Sequence, residues 1–297
     1  MSSMPLFCAL ILAATAGSIG DPQDEIEFIS HLISQEFWGD AIYTVEQFED
    51  EHADWLNRNP QVSDSLNFWA GWSGYNRREL TYASDRLGSV SKQSPLFEQS
   101  RFFRGYMLAH LSVEEQSSEL LNSAVASVSS LNPDRELLQE LKSFELAGFA
   151  LLDRDYPAFD EHASDFTKNY HAMAGQQQNF REYAEELRGI SGKSPWVAGV
   201  MSAAIPGSGK MYAGRRGDGI STFLQVAVFG GVFAESVLNA GWNHPRTWIS
   251  GAGLGIFYSA NIRGSIASVR ITQQEVYEQV DQQILLDLHI PLRTIFR

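Results

Sequence analysis

One stretch limits what this chain can fold into more than any other. Between Lys193 and Arg270 a short apolar run stops at Pro206-Gly207-Ser208-Gly209, and a basic, glycine-rich turn follows. Two long apolar segments come next, separated by Gly241-Trp242-Asn243-His244-Pro245. Residues 220–240 are interrupted only by Gln225 and Glu235, and as a helix they reach across about 30 Å of hydrocarbon. Residues 247–269 form a second expected crossing, with Asn261 and Arg263 near its end. Gly251, Gly255 and Ser259 recur at the four-residue spacing that lets helices approach closely in lipid. Glu235 and Arg263 are costly against lipid, so the pattern predicts that they lie near an interface or pair inside the bundle. Residues 196–205 are too short to span and read as an interfacial or re-entrant helix. The alternative is a buried helical hairpin in a water-soluble protein, which the modest hydropathy of both segments leaves open.

Gly207-Ser208-Gly209-Lys210 has the look of a phosphate loop, but the chemistry is missing. A Walker A loop needs a glycine five residues before its second glycine and a Ser or Thr directly after the lysine, to cradle phosphates and hold magnesium. Ala204 and Met211 occupy those places, which argues against nucleotide. Backbone geometry explains the residues better: Gly207, Gly209, Gly214 and Gly219 permit positive φ or close helix approach. Tyr212, Arg215 and Arg216 suit a headgroup layer.

What precedes this stretch differs sharply in charge. Up to Lys193 there are 30 Asp and Glu against 14 Lys and Arg, and from Ser194 onward 6 against 8. The acidic front argues against nucleic acid, since phosphate contacts need clustered basic residues, and against lying flat on an anionic bilayer. With one cysteine, Cys8, the chain forms no internal disulfide and no cysteine-based metal site. Residues 1–20 carry an apolar run followed by small residues, and charge begins at Asp21. This is expected to be a signal peptide, although its start lacks Lys and Arg, and an uncleaved anchor is the alternative. Cys8 after Pro5-Leu6-Phe7 does not fit a lipoprotein site.

Over residues 22–192 apolar residues recur at three and four, as in Ile26, Ile29, Ile33 and Phe37, which predicts amphipathic helices and no strands. Turn formers at 57–60, 91–95, 129–133 and 189–192 divide the helices into pairs. Gly71, Ala83, Leu87, Val90 and Pro95 follow a spacing that resembles the tetratricopeptide repeat, a helical hairpin of about 34 residues. Phe37-Trp38-Gly39-Asp40-Ala41-Ile42 is similar to that family's inter-helix turn. Gly105 with Leu121 and Ala124, and Gly148 with Tyr156-Pro157-Ala158-Phe159, supply looser third and fourth units. The resemblance implies an all-α, tetratricopeptide-like solenoid with a concave face for a protein partner. Trp69, Trp72, Tyr75, Phe103 and Tyr106 are the candidate aromatic anchors there; inter-helix core is the other reading of the same spacing.

No catalytic constellation emerges. His31, His110, His162 and His171 form no His-Glu-x-x-His pair, and no serine sits in a Gly-x-Ser-x-Gly elbow. Neither metal nor cofactor is expected, and the chain reads as non-enzymatic.

Ser202-Ala203-Ala204-Ile205-Pro206-Gly207-Ser208-Gly209-Lys210-Met211-Tyr212-Ala213-Gly214-Arg215 with Asp218-Gly219 resembles a motif, S-A-x-I-P-G-x-G-x-x-Y-x-G-R-x-x-D-G, of bacterial envelope proteins that often carry tetratricopeptide repeats. It is also similar to the turn opening the two-transmembrane-helix domain family, though Arg263 lacks the preceding Asp of that family's second helix. The resemblance implies an integral membrane module whose defining residues are Pro206, Gly207, Gly209, Tyr212, Gly214, Arg215, Asp218 and Gly219.

The expected organisation is therefore a leader (1–20), a helical repeat domain (22–192), a two-helix membrane module (193–270) and an amphipathic helix (271–297) ending near Pro291. The expected role is a membrane-anchored scaffold of the bacterial envelope that binds a protein partner through its repeats and contacts membrane lipid. The alternative is an accessory subunit of a transport or protein-insertion machine. Export places the repeats in the periplasm with two inner-membrane crossings, and outer-membrane association stays open. Positive-inside counting of Lys210, Arg215 and Arg216 pulls the other way.

Overall fold

The computed structural model describes residues 21–111, 121, 134–167 and 169–296, so the leader, Ala124 and the break at 129–133 lie outside the described residues. Among the described residues every regular element is helical and there is no strand. The helices are α1 (Pro22–Ser34), α2 (Trp38–Glu51), α3 (Ala53–Arg58), α4 (Pro60–Asn76), α5 (Leu80–Gly88), α6 (Phe97–His110), α7 (Arg135–Leu152), α8 (Tyr156–Ala163), α9 (His171–Ser191), α10 (Pro195–Ala204), α11 (Ser208–Tyr212), α12 (Arg216–Ala240) and α13 (Pro245–Ile295). They divide into two compact units, one of Met1–Arg181 with Ile284–Arg297 and one of Glu182–Gln283.

In the first unit, helices pair through one recurring turn. Glu36, Arg78 and Arg154 adopt φ of 62°, 64° and 62°, at the junctions α1–α2, α4–α5 and α7–α8. At each junction the next residue's amide donates five residues back: Phe37 to Leu32 at 3.0 Å, Glu79 to Gly74 at 2.8 Å and Asp155 to Ala150 at 2.8 Å. This is the left-handed helix stop, here without its usual glycine. A non-glycine residue is strained in that region, so the repetition marks three hairpins closed in the same way.

The hairpins pack through small residues. A Cβ on Gly71 would lie 2.7 Å from Leu87 and 3.2 Å from the Ala83 carbonyl, and one on Gly105 3.3 Å from Leu121. Helix starts are set locally as well: Asp21 caps α1 by accepting from the Gln23 amide at 3.1 Å, and Asp155 caps α8 by accepting from Ala158 at 3.0 Å.

The tail departs from expectation. Instead of a separate helix, α13 runs unbroken from Pro245 through Pro291 to Ile295. Residues 270–290 contain no glycine, proline or turn-forming cluster to stop it. Its last turns, from Ile284, belong to the first unit, where Leu288 and Leu292 are fully buried. Gly148 makes room there: a Cβ on it would meet Leu288 at 2.7 Å.

Candidate functional site

The second unit is built around the glycine turn. α10 packs on α13, and a Cβ on Gly199 would strike Ile266 at 2.9 Å. At the end of α9, Gln273 donates to the carbonyls of Ile190 at 3.0 Å and Lys193 at 2.9 Å. Tyr212 accepts from the Ser194 amide at 3.1 Å, closing α11 back onto the start of α10.

Between these fixed ends the chain reverses at Pro206 and Gly207. Gly207 has φ 83°, and a Cβ on it would lie 2.1 Å from the Gly219 carbonyl oxygen. A Cβ on Gly209 would lie 2.0 Å from the Ala198 carbonyl oxygen. Both clashes are with backbone, which cannot move aside. Gly214, φ 97°, makes the turn into α12 with the same closure found in the first unit, Arg215 donating to Lys210 at 2.9 Å.

A buried polar cluster braces this reversal. Asn261 accepts from the Gly207 amide at 3.1 Å and donates to the Ser202 carbonyl at 3.1 Å. The Ser202 hydroxyl accepts from the Gly209 amide at 2.9 Å and lies 2.7 Å from the Ser265 hydroxyl. These partners satisfy backbone donors that the reversal strips from regular helix. Lys210 donates to Thr222 at 2.9 Å, Thr222 to the Asp218 carbonyl at 2.7 Å, and Arg215 pairs with Glu275 at 3.1 Å. Pro206, Gly207, Gly209, Tyr212, Gly214, Arg215, Asp218 and Gly219 thus occupy one reversal, each with a backbone or bracing part. The bracing role of Asn261, Ser202 and Ser265 was not legible in the sequence, because these partners lie 54 to 63 positions apart.

α12 and α13 form an antiparallel hairpin in steady register. Phe229 stacks on Phe257 at 4.0 Å, a Cβ on Gly251 would meet Phe233 at 2.9 Å, and Thr247 donates to the Ser236 carbonyl at 3.2 Å. Glu235 pairs with Arg246 at 3.0 Å across the hairpin's closed end. Arg263, its anticipated companion, is exposed near the other end. Between those charges residues 219–234 and 247–262 carry none, each about 24 Å of helix.

α10 and this hairpin display many large apolar side chains. Trp196 is 75% exposed, Leu238 84% and Ile249 74%, and Val200, Phe223, Leu224, Val228 and Ile256 are exposed too. Inside lie small polar groups, Ser202, Thr222, Ser236, Thr247 and Ser265. Among the described residues α12 alone is long and apolar enough to cross a membrane, and 17% of its most apolar stretch is buried. The second expected crossing, residues 247–269, falls short because its glycines and serines, Asn261 and Arg263 dilute its apolar residues.

The aromatic set of the first unit is packed rather than displayed. Trp69, Phe103 and Tyr106 are buried, and Trp72 and Tyr75 half-buried. The chain's own last turns fill the space before them. His289 stacks on Tyr106 at 5.3 Å and bonds the Tyr75 hydroxyl, Arg293 lies 5.8 Å over Trp72, and Phe296 packs on Phe102 and Phe103. Burial, then Arg293 and His110, pushes His289 down to about 4 from 6.5. Burial pushes Tyr106 up to about 12, and its hydroxyl lies 2.7 Å from His110.

Two further groups stand out. Glu145 is fully buried with no hydrogen bond among the described residues, and burial raises its pKa well above the usual carboxylate range. Glu25, Glu51 and His52 bring three ligand atoms within 4.8 Å of one another and have the donor set to hold a metal. In this structure His52 Nε2 lies 3.4 Å from a carboxylate oxygen of Glu25. The sequence reading passed over His52 because α1 and the α2–α3 junction meet only in the fold.

Comparison with models of protein families, with curated proteins and with solved structures finds no match to the chain.

Proposed function

We propose that this chain is a non-enzymatic, membrane-anchored scaffold of the bacterial envelope: a tetratricopeptide-like solenoid held at the inner membrane, facing the periplasm, by a re-entrant helix and a two-helix hairpin. The motif at Ser202–Gly219 supports its place among envelope proteins with this layout. One observation carries the membrane reading. The second unit displays its large apolar side chains and buries its small polar ones, an arrangement stable where the surrounding solvent is hydrocarbon. Charge-free stretches matched across the hairpin, bounded by Glu235–Arg246 at one end and Arg263 at the other, add to it, as do Trp242 and Trp248 near the closed end. The α13 segment is less apolar than α12, but its Asn261 and Ser265 face the interior of the unit, where they bond to α10 and the turn.

Binding through the first unit follows from its design. Hairpins that bury one stripe against their neighbours leave another face for a partner. Because the chain's own tail covers the aromatic cluster, the partner surface lies elsewhere. Phe28, Phe37 and Tyr43, exposed on α1, α2 and their junction, supply apolar anchors. Carbonate extraction of membranes from cells making the full chain tests the anchoring: retention in the pellet is expected, and release into the supernatant would overturn it. Site-specific photocrosslinking from Phe37 and Tyr43 tests the scaffold, with a discrete protein adduct expected and only self-adducts counting against it.

A further inference from the structure

We propose that the crevice between α12 and α13 holds one acyl chain of a zwitterionic aminophospholipid, with the phosphate on Arg246 and the ammonium on Glu235. The inference rests on the membrane reading of the second unit. The crevice encloses about 550 Å3 and is walled by Phe229 and Val232 of α12 and by Ile249 and Gly253 of α13. Two hydroxyls line it, Ser236 and Ser250, and each donates to its own helix, to Val232 at 2.8 Å and Thr247 at 3.1 Å. What the body offers is therefore alkyl surface, which water cannot wet favourably and a hydrocarbon chain can.

The polar end selects the headgroup. Arg246 lines the crevice and donates to Glu235 Oε1 at 3.0 Å, with both side chains about half exposed. The guanidinium keeps further N–H donors, and the carboxylate a second oxygen, directed to neither of these bonds. Adjacent positive and negative groups match a headgroup that carries a phosphate and, two carbons away, an N–H-bearing ammonium. A choline headgroup has no N–H for Glu235, and a glycerol headgroup has no positive charge. Trp242 and Trp248, 67% and 71% exposed, lie beside this end, where a headgroup layer would be.

The test uses the full chain in mild detergent, with native mass spectrometry against dioleoyl phosphatidylethanolamine, phosphatidylcholine and phosphatidylglycerol. A one-to-one ethanolamine-lipid adduct, retained about tenfold better than the choline lipid, is expected. Gly253→Leu, whose side chain grows into open space, should remove the adduct, and Glu235→Gln should bring the ethanolamine lipid down to the level of the choline lipid. If Gly253→Leu does not fold, Val232→Trp fills the same space from α12 with the same expected loss. Equal retention of the ethanolamine and choline lipids, an adduct unmoved by the filled crevice, or a protein dimer lost on filling it with no lipid bound would each overturn the proposal. Carbonate release would instead remove the membrane reading, so the two failures are distinct.

Discussion

In the first unit Phe48, Phe97, Phe102, Phe144 and Phe180 are fully buried; in the second, Trp196, Leu224, Val228, Leu238 and Ile249 face outward. Ser202, Ser236, Asn261 and Ser265 sit inside the second unit and bond one another or nearby backbone. Both units are helical, so helix content does not separate them. The direction in which their large apolar residues point does. The glycines of the reversal are a special case: Gly71 of the first unit chiefly receives the Leu87 side chain, whereas Gly207 and Gly209 receive backbone carbonyls.

The comparison breaks most visibly at the reversal. Gly209→Val drives its side chain into the Ala198 carbonyl and should cost about 3 kcal/mol or more, read as loss of monodisperse protein in detergent. Gly71→Ala meets chiefly the Leu87 side chain, which can shift, with the Ala83 carbonyl farther off at 3.2 Å, and should cost less. Next in size, Phe144→Ala, which removes a ring stacked on Phe180 at 4.5 Å, should cost about 3–5 kcal/mol in thermal unfolding. Leu238→Ala should leave the melting of the second unit within about 0.5 kcal/mol. Equal losses at Phe144 and Leu238 would erase the distinction between the units. Asn261→Ala strips the Gly207 amide of its partner and should cost about 1–3 kcal/mol.

Much of this was legible in the chain and some was not, for physical reasons. Periodicity shows helices wherever one face is buried, so Ile26, Ile29, Val45 and Phe48 pointed to α1 and α2. The glycine turn was legible because its backbone geometry tolerates few other residues. The recurring hairpin turn was not, since Glu36, Arg78 and Arg154 bear side chains that disguise a left-handed stop. Nor was the fate of Trp72, Tyr75 and Phe103, since an amphipathic stripe does not say which helix covers it. Here the cover is the tail, more than 180 residues away in the chain. Glu235 and Arg263 were expected near an interface or paired inside the bundle; the hairpin register instead gives Glu235 to Arg246, and register is a property of the whole turn.

The tail supplies the most specific effect. His289 is held at about 4 in the fold against 6.5 ordinarily, so between those values the unfolded chain binds more protons. Its contribution is complete above about pH 6.5 and is lost as pH falls toward 4. The first unit should lose stability over that window, and His289→Phe should flatten the loss in denaturant titrations at stepped pH. The second unit has no such buried histidine and should not share the slope.

The central claim is that the second unit is surrounded by hydrocarbon and the first by water. Single-cysteine labelling in intact membranes tests it directly, because Cys8 is the only native cysteine and can be replaced. In a Cys8→Ser background, Val228→Cys and Tyr43→Cys each place a thiol at a site about two-thirds exposed in the structure. A membrane-impermeant maleimide should modify position 43 readily and leave position 228 unmodified until detergent is added. Equally fast labelling of both positions without detergent would contradict the account.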